Sequence, residues 1–383
     1  MPIVLHVVGA RPNFMKIAPL IAALRAHPGI EQRLVHTGQH YDHRMAKVFF
    51  EELGLPRPDR DLGVGSGSHA EQTAAVMVRF EQVLLEERPD LVVVVGDVNS
   101  TLAAALVAAK LHIPVAHVES GLRSFDMTMP EEINRLLTDR LSTILLVPSA
   151  DGAENLRREG MPEASIFVVG NLMIDTLLQH RATAPWEEVR RTLGLEEQRY
   201  AVLTLHRPAN VDDPARLRLL IERLRPVTAH MPVIFPIHPR TAARFAQAGI
   251  TPEEAGLRPV EPLGYREFLA LMDHAGCVLT DSGGIQEETT VLGVPCFTLR
   301  DNTERPITIS EGTNTLVMAD ARLLADAFAD FVATGGKRGR VPAGWDGASG
   351  VRAAAIIAGY LDGGSLEAAA AGLFSAPVNQ PTA

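Results

Sequence analysis

The stretch Cys277-Val278-Leu279-Thr280-Asp281-Ser282-Gly283-Gly284-Ile285-Gln286-Glu287-Glu288 joins a short apolar run to a polar, glycine-bearing turn and then to residues suited to a helix. It reads as a strand, a tight turn and a helix N-terminus. The first backbone N–H groups of such a helix lack partners, and two glycines without a Cβ let an anion approach them. A phosphate group is the expected occupant of the turn at Ser282, Gly283 and Gly284. Glu288 lies further along the same helix, where a carboxylate can accept hydrogen bonds from a ribose diol. The competing reading is a βα turn with a solvated pair of glutamates, because Ser-Gly-Gly alone is a weak motif.

The same strand-turn-helix plan recurs along the chain. Residues 4–8 form a β-branched run that Gly9-Ala10-Arg11-Pro12 turns into a helix with apolar positions Phe14, Ile17, Leu20, Ile21 and Leu24. This turn lacks G-x-G-x-x-G, so no dinucleotide fingerprint is present. Arg11 and Lys16 flank the helix start, where positive charge opposes the helix dipole. A bound anion would offset that cost; two solvated bases are the alternative. Residues 33–40 read as a second strand ending in a polar loop with Gln39 and His40, followed by a helix over 45–53. A glycine- and serine-rich loop over 63–68 precedes an amphipathic helix over 71–86.

Residues 91–95 are a continuous aliphatic run, typical of a parallel strand covered on both faces. Asp97 stands just past its carboxyl end, the edge at which open α/β sheets bind ligands, and is a candidate catalytic group. Capping of a helix that starts near Thr101 is its rival role. Residues 113–119 deliver Glu119 to the same edge. The helix opened by Pro130-Glu131-Glu132-Ile133-Asn134-Arg135 adds a third acid, Glu131, although Thr128-Met129-Pro130-Glu131 also fits a capping box. Runs at 144–147 and 166–169 complete a first half.

Beyond Gly170-Asn171 the pattern restarts, with one strand ending in His206-Arg207-Pro208 and another in His238-Pro239-Arg240. A lone histidine after a strand is more often structural than catalytic, but two, each with an arginine nearby, shift the balance. Strands alternating with helices predict two parallel-sheet α/β domains with polar residues at strand carboxyl ends and a catalytic cleft between them. The expected bounds are 1–169 and 170–350. A helix over 351–362 returns to the first domain, and an Ala-, Gly- and Pro-rich tail over 363–383 is expected to be flexible.

A chain of 383 residues exceeds the usual size of one hydrophobic core. Its net charge of −10 gives no reason to expect nucleic acid, so a polyanion must be held by a local basic site. The two cysteines, Cys277 and Cys296, sit in apolar runs without metal-ligand spacing, as in a reduced cytoplasmic protein. The N-terminus enters a strand-like run without a basic leader, and no segment approaches the ~20 apolar residues of a membrane helix.

Taken as an ordered set, Gly9-Ala10-Arg11-Pro12, Gly96-Asp97, His117-Val118-Glu119-Ser120-Gly121-Leu122-Arg123, Pro130 to Arg135, His206-Arg207, Thr280 to Glu288 and Arg300 to Pro306 resemble the non-hydrolysing UDP-N-acetylglucosamine 2-epimerases from about residue 3 to 360. The resemblance implies a glycosyltransferase-B-like pair of Rossmann-like domains, UDP-sugar chemistry without cofactor or metal, and a homodimer. It puts Asp97, Glu119, Glu131 and His206 at catalytic positions. Arg11, Lys16, Arg135, Ser282, Gly283, Gly284, Glu288 and Arg305 fall at positions that bind UDP and sugar. Gln39, His40, Arg207 and His238 fall near a site at which some members take a second UDP-sugar as activator. The loop from Arg123 to Pro130 resembles a Ser-Phe-Asp form shared with relatives acting on 2,3-diacetamido uronic acid sugars, so that substrate is an alternative. A glycosyltransferase of the same fold is another.

Inverting C2 of an N-acetyl sugar breaks a C–H bond that is not acidic, and the chain has no nicotinamide fingerprint with which to oxidise C3. Elimination remains: a base takes the C2 proton as UDP leaves C1, and re-addition delivers a proton to the other face. The growing charge on the diphosphate needs cations and helix N–H groups. Opposite faces need at least two acid/base groups, for which Asp97, Glu119 and Glu131 are available.

Overall fold

The computed structural model describes residues 1–39, 52–195, 199–318, 320 and 322–375. Two compact units emerge, one formed by Met1–Thr176 with Ala343–Ala383, the other by Leu177–Pro342. The first boundary falls inside the helix Leu172–Arg181, a few residues beyond the expected Gly170, and the return precedes residue 351.

The first unit holds a seven-stranded sheet: β1 Ile3–Val8, β2 Glu31–His36, β3 Arg60–Asp61, β4 Leu91–Val95, β5 Val115–Val118, β6 Ile144–Val147 and β7 Ile166–Val168. Its order is β3-β2-β1-β4-β5-β6-β7, with every neighbouring pair parallel. Parallel neighbours cannot be joined by hairpins, so helices cross over between them and cover both faces. Accordingly β4 is buried along its whole length, with Val92 and Val94 facing Val76, Phe80 and Ala104 of the crossover helices.

The second unit has β8 Ala201–Thr204, β9 Val233–Pro236, β10 Leu257–Val260, β11 Cys277–Thr280, β12 Cys296–Thr298 and β13 Asn314–Leu316 in the order β10-β9-β8-β11-β12-β13, again all parallel. Alternation along the strands splits its core in two. Leu203, Phe235 and Leu279 pack in one cluster, Val202, Ile234 and Val278 in the other. Cys277 and Cys296 are buried and unlinked. Among the described residues no helix is long and apolar enough to cross a membrane.

Part of the tail departs from expectation, and residues 376–383 lie outside the described residues. A helix, Leu366–Ser375, follows Ser349–Gly363 and packs against it, and Ser349–Gly363 in turn packs against Arg11–Leu24. Small residues make this possible: a Cβ at Gly359 would run into the Ala368 carbonyl, and one at Gly372 into that of Ala355. Composition read as flexibility was close approach of backbones. At the start of Ser349–Gly363, Asp175 accepts hydrogen bonds from the amides of Ser349 (3.2 Å) and Gly350 (2.6 Å), supplying the cap that Ala348 lacks.

Gly350 meets Pro19 so closely that a Cβ would lie 2.8 Å from the Pro19 carbonyl carbon and oxygen. Gly350→Ala is therefore expected to lower stability by about 1–3 kcal/mol through overpacking. The neighbouring Val351→Ala, at a 36% exposed position, should cost no more than about 0.5 kcal/mol. Thermal unfolding midpoints of the two variants check the contrast.

Candidate active site

In the first unit the chain leaves β1 toward β2 and later returns to β4 on the other side of β1, so the loops after β1 and β4 diverge at a topological switch point. Asn13 ties the two together. Its Oδ1 accepts from the amides of Gly9 (3.0 Å) and Ala10 (2.9 Å), and its Nδ2 donates to the Val95 carbonyl (3.0 Å). Further along the same helix, the buried Lys16 ammonium forms an ion pair with Glu119. A Cβ at Gly96 would lie 3.4 Å from Glu119 Oε2 and 3.6 Å from Lys16 Nζ, which places the pair directly over the residue before Asp97.

Gly96 (φ 68°) and Glu119 (φ 71°) both adopt left-handed backbone just past β4 and β5. For glutamate this is a strained conformation, of a kind that costs on the order of 1–3 kcal/mol and persists only where surrounding contacts enforce it. Those contacts are present. His117, fully buried, sets Nδ1 2.6 Å from Asp139 and Nε2 2.8 Å from the Gly96 carbonyl, while Asp139 also accepts from the Gly121 amide (3.1 Å) and pairs with Arg123 (2.7 Å). Burial alone would raise the Asp139 pKa, but His117 and Arg123 outweigh it and hold the carboxylate below its ordinary range.

Asp97 is not a helix cap. The helix after it is Asn99–Lys110 with Val98 at its N-cap, and the Asp97 carboxylate pairs with Arg135. Arg135 is itself buried, held by Glu132 through Nη2 (2.6 Å) and Nε (3.0 Å). Glu132 also accepts from the Ser124 amide (2.9 Å) and hydroxyl (3.0 Å) and the Phe125 amide (2.9 Å). Burial raises its pKa, but those N–H groups and Arg135 lower it further.

The capping box expected at Thr128 is not formed. Met129 is the N-cap of Pro130–Leu141, and the Thr128 hydroxyl donates to Asp126 (2.6 Å) instead. Pro130 at the first helical position moves the start one residue on, so Glu131 is no longer at the box position. Among the described residues its half-buried carboxylate has no hydrogen-bond partner, and it lies one turn before Arg135 on the same helix face.

The second unit repeats the switch point between β8 and β11, whose carboxyl ends carry His206-Arg207 and Asp281-Ser282. Asp281 is fully buried and collects the His206 amide (3.1 Å), the Arg207 amide (3.0 Å), Asn210 Nδ2 (3.1 Å) and His206 Nδ1 (2.9 Å). Burial pushes its pKa up, but His206 and these N–H donors more than reverse that, so it is held as a carboxylate. The His206 side chain remains 57% exposed.

Ser282 is the N-cap of Gly283–Leu292 and makes no side-chain cap. At Gly283 the missing Cβ serves a neighbour: one built there would collide with the Arg305 guanidinium and the Glu304 carboxylate. Arg300 (2.7 Å) and Arg305 pair with Glu304, Arg305 also with Glu287 (2.9 Å), and Arg207 lies 3.5 Å from Glu304. Three arginines thus face two buried glutamates close to a helix N-terminus. Burial depresses the Arg300 pKa, with Arg207 and Arg305 adding to it, and Arg300 Nη1 is buried without a hydrogen-bond partner among the described residues. Such a donor is satisfied by an incoming anion.

Glu288 is buried and accepts a hydrogen bond from the Tyr265 hydroxyl (3.1 Å). Gln39 is buried too, its Oε1 taken by the Ser100 amide (3.0 Å) and hydroxyl (2.6 Å). His238 is exposed and caps its own helix by accepting from the Arg240 amide (3.3 Å). The side chain of Arg11, all of His40 and residues 45–51 of the expected helix lie outside the described residues. Sequence reasoning gave no role to Asp281, Arg300, Glu304 or the His117–Asp139 pair. The partners of Asp281 and the two members of the His117–Asp139 pair are distant in sequence, whereas Arg300 and Glu304 lie four residues apart outside any helix, where that spacing predicts no contact; Asp281, placed after a strand as Asp97 is, offered a positional signal.

Two parallel-sheet α/β units, each with polar clusters at its switch point, fit the plan of glycosyltransferase-B-type proteins, and comparisons with known proteins show which family this is. Residues 22–358 match the family model described as UDP-N-acetylglucosamine 2-epimerase, and the chain belongs to that family. It is similar to the UDP-N-acetylglucosamine 2-epimerase of Methanocaldococcus jannaschii, with 48% identity over 81% of this chain and 87% of that protein. It is also similar to the UDP-2,3-diacetamido-2,3-dideoxy-D-glucuronate 2-epimerase of Pseudomonas aeruginosa, with 42% identity over 85% and 90%. Among solved structures, that of the M. jannaschii enzyme in complex with UDP-GlcNAc and UDP superposes with a TM-score of 0.85, at 44% identity over 93% of this chain and 99% of that one.

Burial, with the Glu287 charge adding to it, raises the Glu288 pKa to about 8, against the smaller opposing effect of the Tyr265 hydrogen bond. A carboxyl group whose folded pKa is raised favours the folded state fully below its unfolded value near 4.5, and that contribution is lost as the pH climbs to about 8. Wild type is therefore expected to lose, between pH 5 and 8, on the order of 1–4 kcal/mol that Glu288→Gln does not lose. Urea unfolding of both proteins across that range checks the difference.

Proposed function

We propose that this protein inverts C2 of UDP-N-acetylglucosamine, giving UDP-N-acetylmannosamine, by expelling UDP from C1 and adding it back. The observation that carries this reading is the set of carboxylates at the first unit's switch point. Asp97 and Glu119 stand past neighbouring strands, Glu119 in strained backbone, and Glu131 projects from the helix that supplies the partner of Asp97. Binding a nucleotide needs no such set; moving a proton on and off carbon does.

Roles are assigned on this basis. Asp97, Glu119 and Glu131 handle the C2 proton. Arg207, Arg300, Arg305 and the helix start at Ser282, Gly283 and Gly284 counter the charge of the departing diphosphate, as do Arg11 and Lys16, and Glu288 holds the ribose. Arg135 orients Asp97. The ion pair between Lys16 and Glu119 exchanges partners during turnover, the ammonium turning to phosphate as the carboxylate takes up a proton.

A second UDP-sugar acting as activator near Gln39, His40, Arg207 and His238 belongs to the same proposal, supported by the M. jannaschii complex that holds both UDP-GlcNAc and UDP. So do a cytoplasmic location, a homodimer and a place in supplying sugars for surface polysaccharides. Exposed Val78 and Leu85 on one helix, with Ile133 and Leu137 on another, offer apolar surface for self-association; both helices flank Asn99–Lys110. The P. aeruginosa relative supports a second reading, in which the sugar is a 2,3-diacetamido uronate.

Incubation in heavy water with UDP-N-acetylglucosamine alone, followed by NMR, tests the reaction. Deuterium is expected at C2 in both epimer and recovered substrate, and full retention of the C2 proton in the product would rule out elimination. Turnover only with the diacetamido uronate sugar would establish the second reading, and turnover only with an added acceptor would indicate a glycosyltransferase.

Glu131→Gln is expected to fold with stability within about 1 kcal/mol of wild type, since no cap depends on it. Its kcat should fall by on the order of 10²–10⁴, with UDP affinity by calorimetry nearly unchanged. Turnover near wild type would leave Asp97 and Glu119 as the working pair.

A further inference from the structure

We infer that Asp281 is a positioning residue that fixes the tautomer of His206, so that the imidazole presents Nε2 as its one exchangeable site to the departing diphosphate. The inference rests on the proposed elimination. It starts from geometry at the β8–β11 switch point. Asp281 Oδ1 lies 2.9 Å from His206 Nδ1, and Oδ2 receives the His206 amide (3.1 Å), the Arg207 amide (3.0 Å) and Asn210 Nδ2 (3.1 Å). An ionised carboxylate only accepts, so Nδ1 must carry the proton. The ring cannot turn over without placing a C–H against Oδ1. Among the described residues Nε2 has no hydrogen-bond partner, and the side chain is 57% exposed.

With Nδ1 fixed as donor, Nε2 is an acid in the imidazolium and a base in the neutral ring. Elimination and re-addition need both states in turn. As the C1–O bond breaks, its electron pair stays on the β-phosphate oxygen, which takes the proton from Nε2, while the C2 proton passes to a carboxylate. Re-addition returns the phosphate-bound proton to Nε2, re-forms C1–O and protonates C2 on the other face. Asp281 stays ionised throughout and stabilises the imidazolium electrostatically, as an orienting carboxylate does in other histidine-based sites. Arg207, whose Nε donates to the Asp281 carbonyl (2.9 Å), couples this turn to the arginine cluster around Glu304.

Asp281→Asn separates positioning from scaffolding. With its amide oxygen in the place of Oδ2, asparagine keeps the two backbone N–H bonds and the Asn210 bond, and its NH₂ faces His206 Nδ1. The ring must then accept at Nδ1 and carry its proton on Nε2. The ¹⁵N spectrum of the ring at pH 8, assigned with His206→Gln, should show Nδ1–H in wild type and Nε2–H in Asp281→Asn. The kcat of Asp281→Asn should fall by on the order of 10²–10⁴. In a His206→Ala background the same substitution should cause little further loss, because Asp281 acts through the histidine. An unchanged tautomer, or losses that multiply in the double variant, would overturn the inference and leave Asp281 as scaffold. The tautomer is read without substrate, so it decides the point even if wild type does not epimerise UDP-N-acetylglucosamine.

Discussion

Everything at these two sites depends on a restriction of parallel sheets: each strand must be followed by a crossover, and the crossovers divide into two directions at one point in each sheet. There the loops at strand carboxyl ends diverge, and backbone and side-chain polar groups are left to satisfy one another or a ligand. In the first unit the point lies between β1 and β4, in the second between β8 and β11. Each point gathers buried charges of both signs. Around the first, Asp97, Glu119 and Glu132 face Lys16 and Arg135. Around the second, Arg207, Arg300 and Arg305 face Glu304 and Glu287, near a helix N-terminus that adds partial positive charge.

Burying so many charges is costly unless each finds a partner, because desolvation of an ion in the interior amounts to several kcal/mol. Glu304 shows how the cost is met. Burial alone would raise its pKa, but Arg305, Arg300 and Arg207 together drive it well below the ordinary value. Removing a single arginine would leave Glu304 less fully countered, and Nη1 of Arg300 is a buried donor without a hydrogen-bond partner among the described residues.

How much of this was legible in the sequence differs by residue. Asp97, Glu119 and Ser282 were readable because a short apolar run followed by a polar residue marks a strand carboxyl end, and the sheet's twist and crossovers carry such ends to one edge. Over Leu366–Ser375 the chain is helical where composition suggests flexibility, because alanine and glycine serve equally in loose chain and in tightly apposed helices; only the contact of Gly359 and Gly372 with facing backbone distinguishes them. Thr128 satisfied a capping pattern whose outcome was decided by Pro130, which fixes the first helical residue, and by Asp126, which claimed the hydroxyl. Arg300 and Glu304 were visible as types but not as partners, since they stand four residues apart outside a helix, where that spacing predicts no contact.

The two units also hold the same device for different ends. Asp139 gathers His117 Nδ1, the Gly121 amide and Arg123, as Asp281 gathers His206 Nδ1, two backbone amides and Asn210. In the first case the other ring nitrogen is spent on the Gly96 carbonyl and the ring is wholly buried, so His117 can only hold the backbone beside Asp97 in its left-handed turn. In the second the other nitrogen is left outward on a side chain more than half exposed. A buried carboxylate fixes a histidine's orientation either way. What its second nitrogen meets separates the two: His117, inside β5, spends it on backbone, whereas His206, past the end of β8, carries it on an exposed side chain.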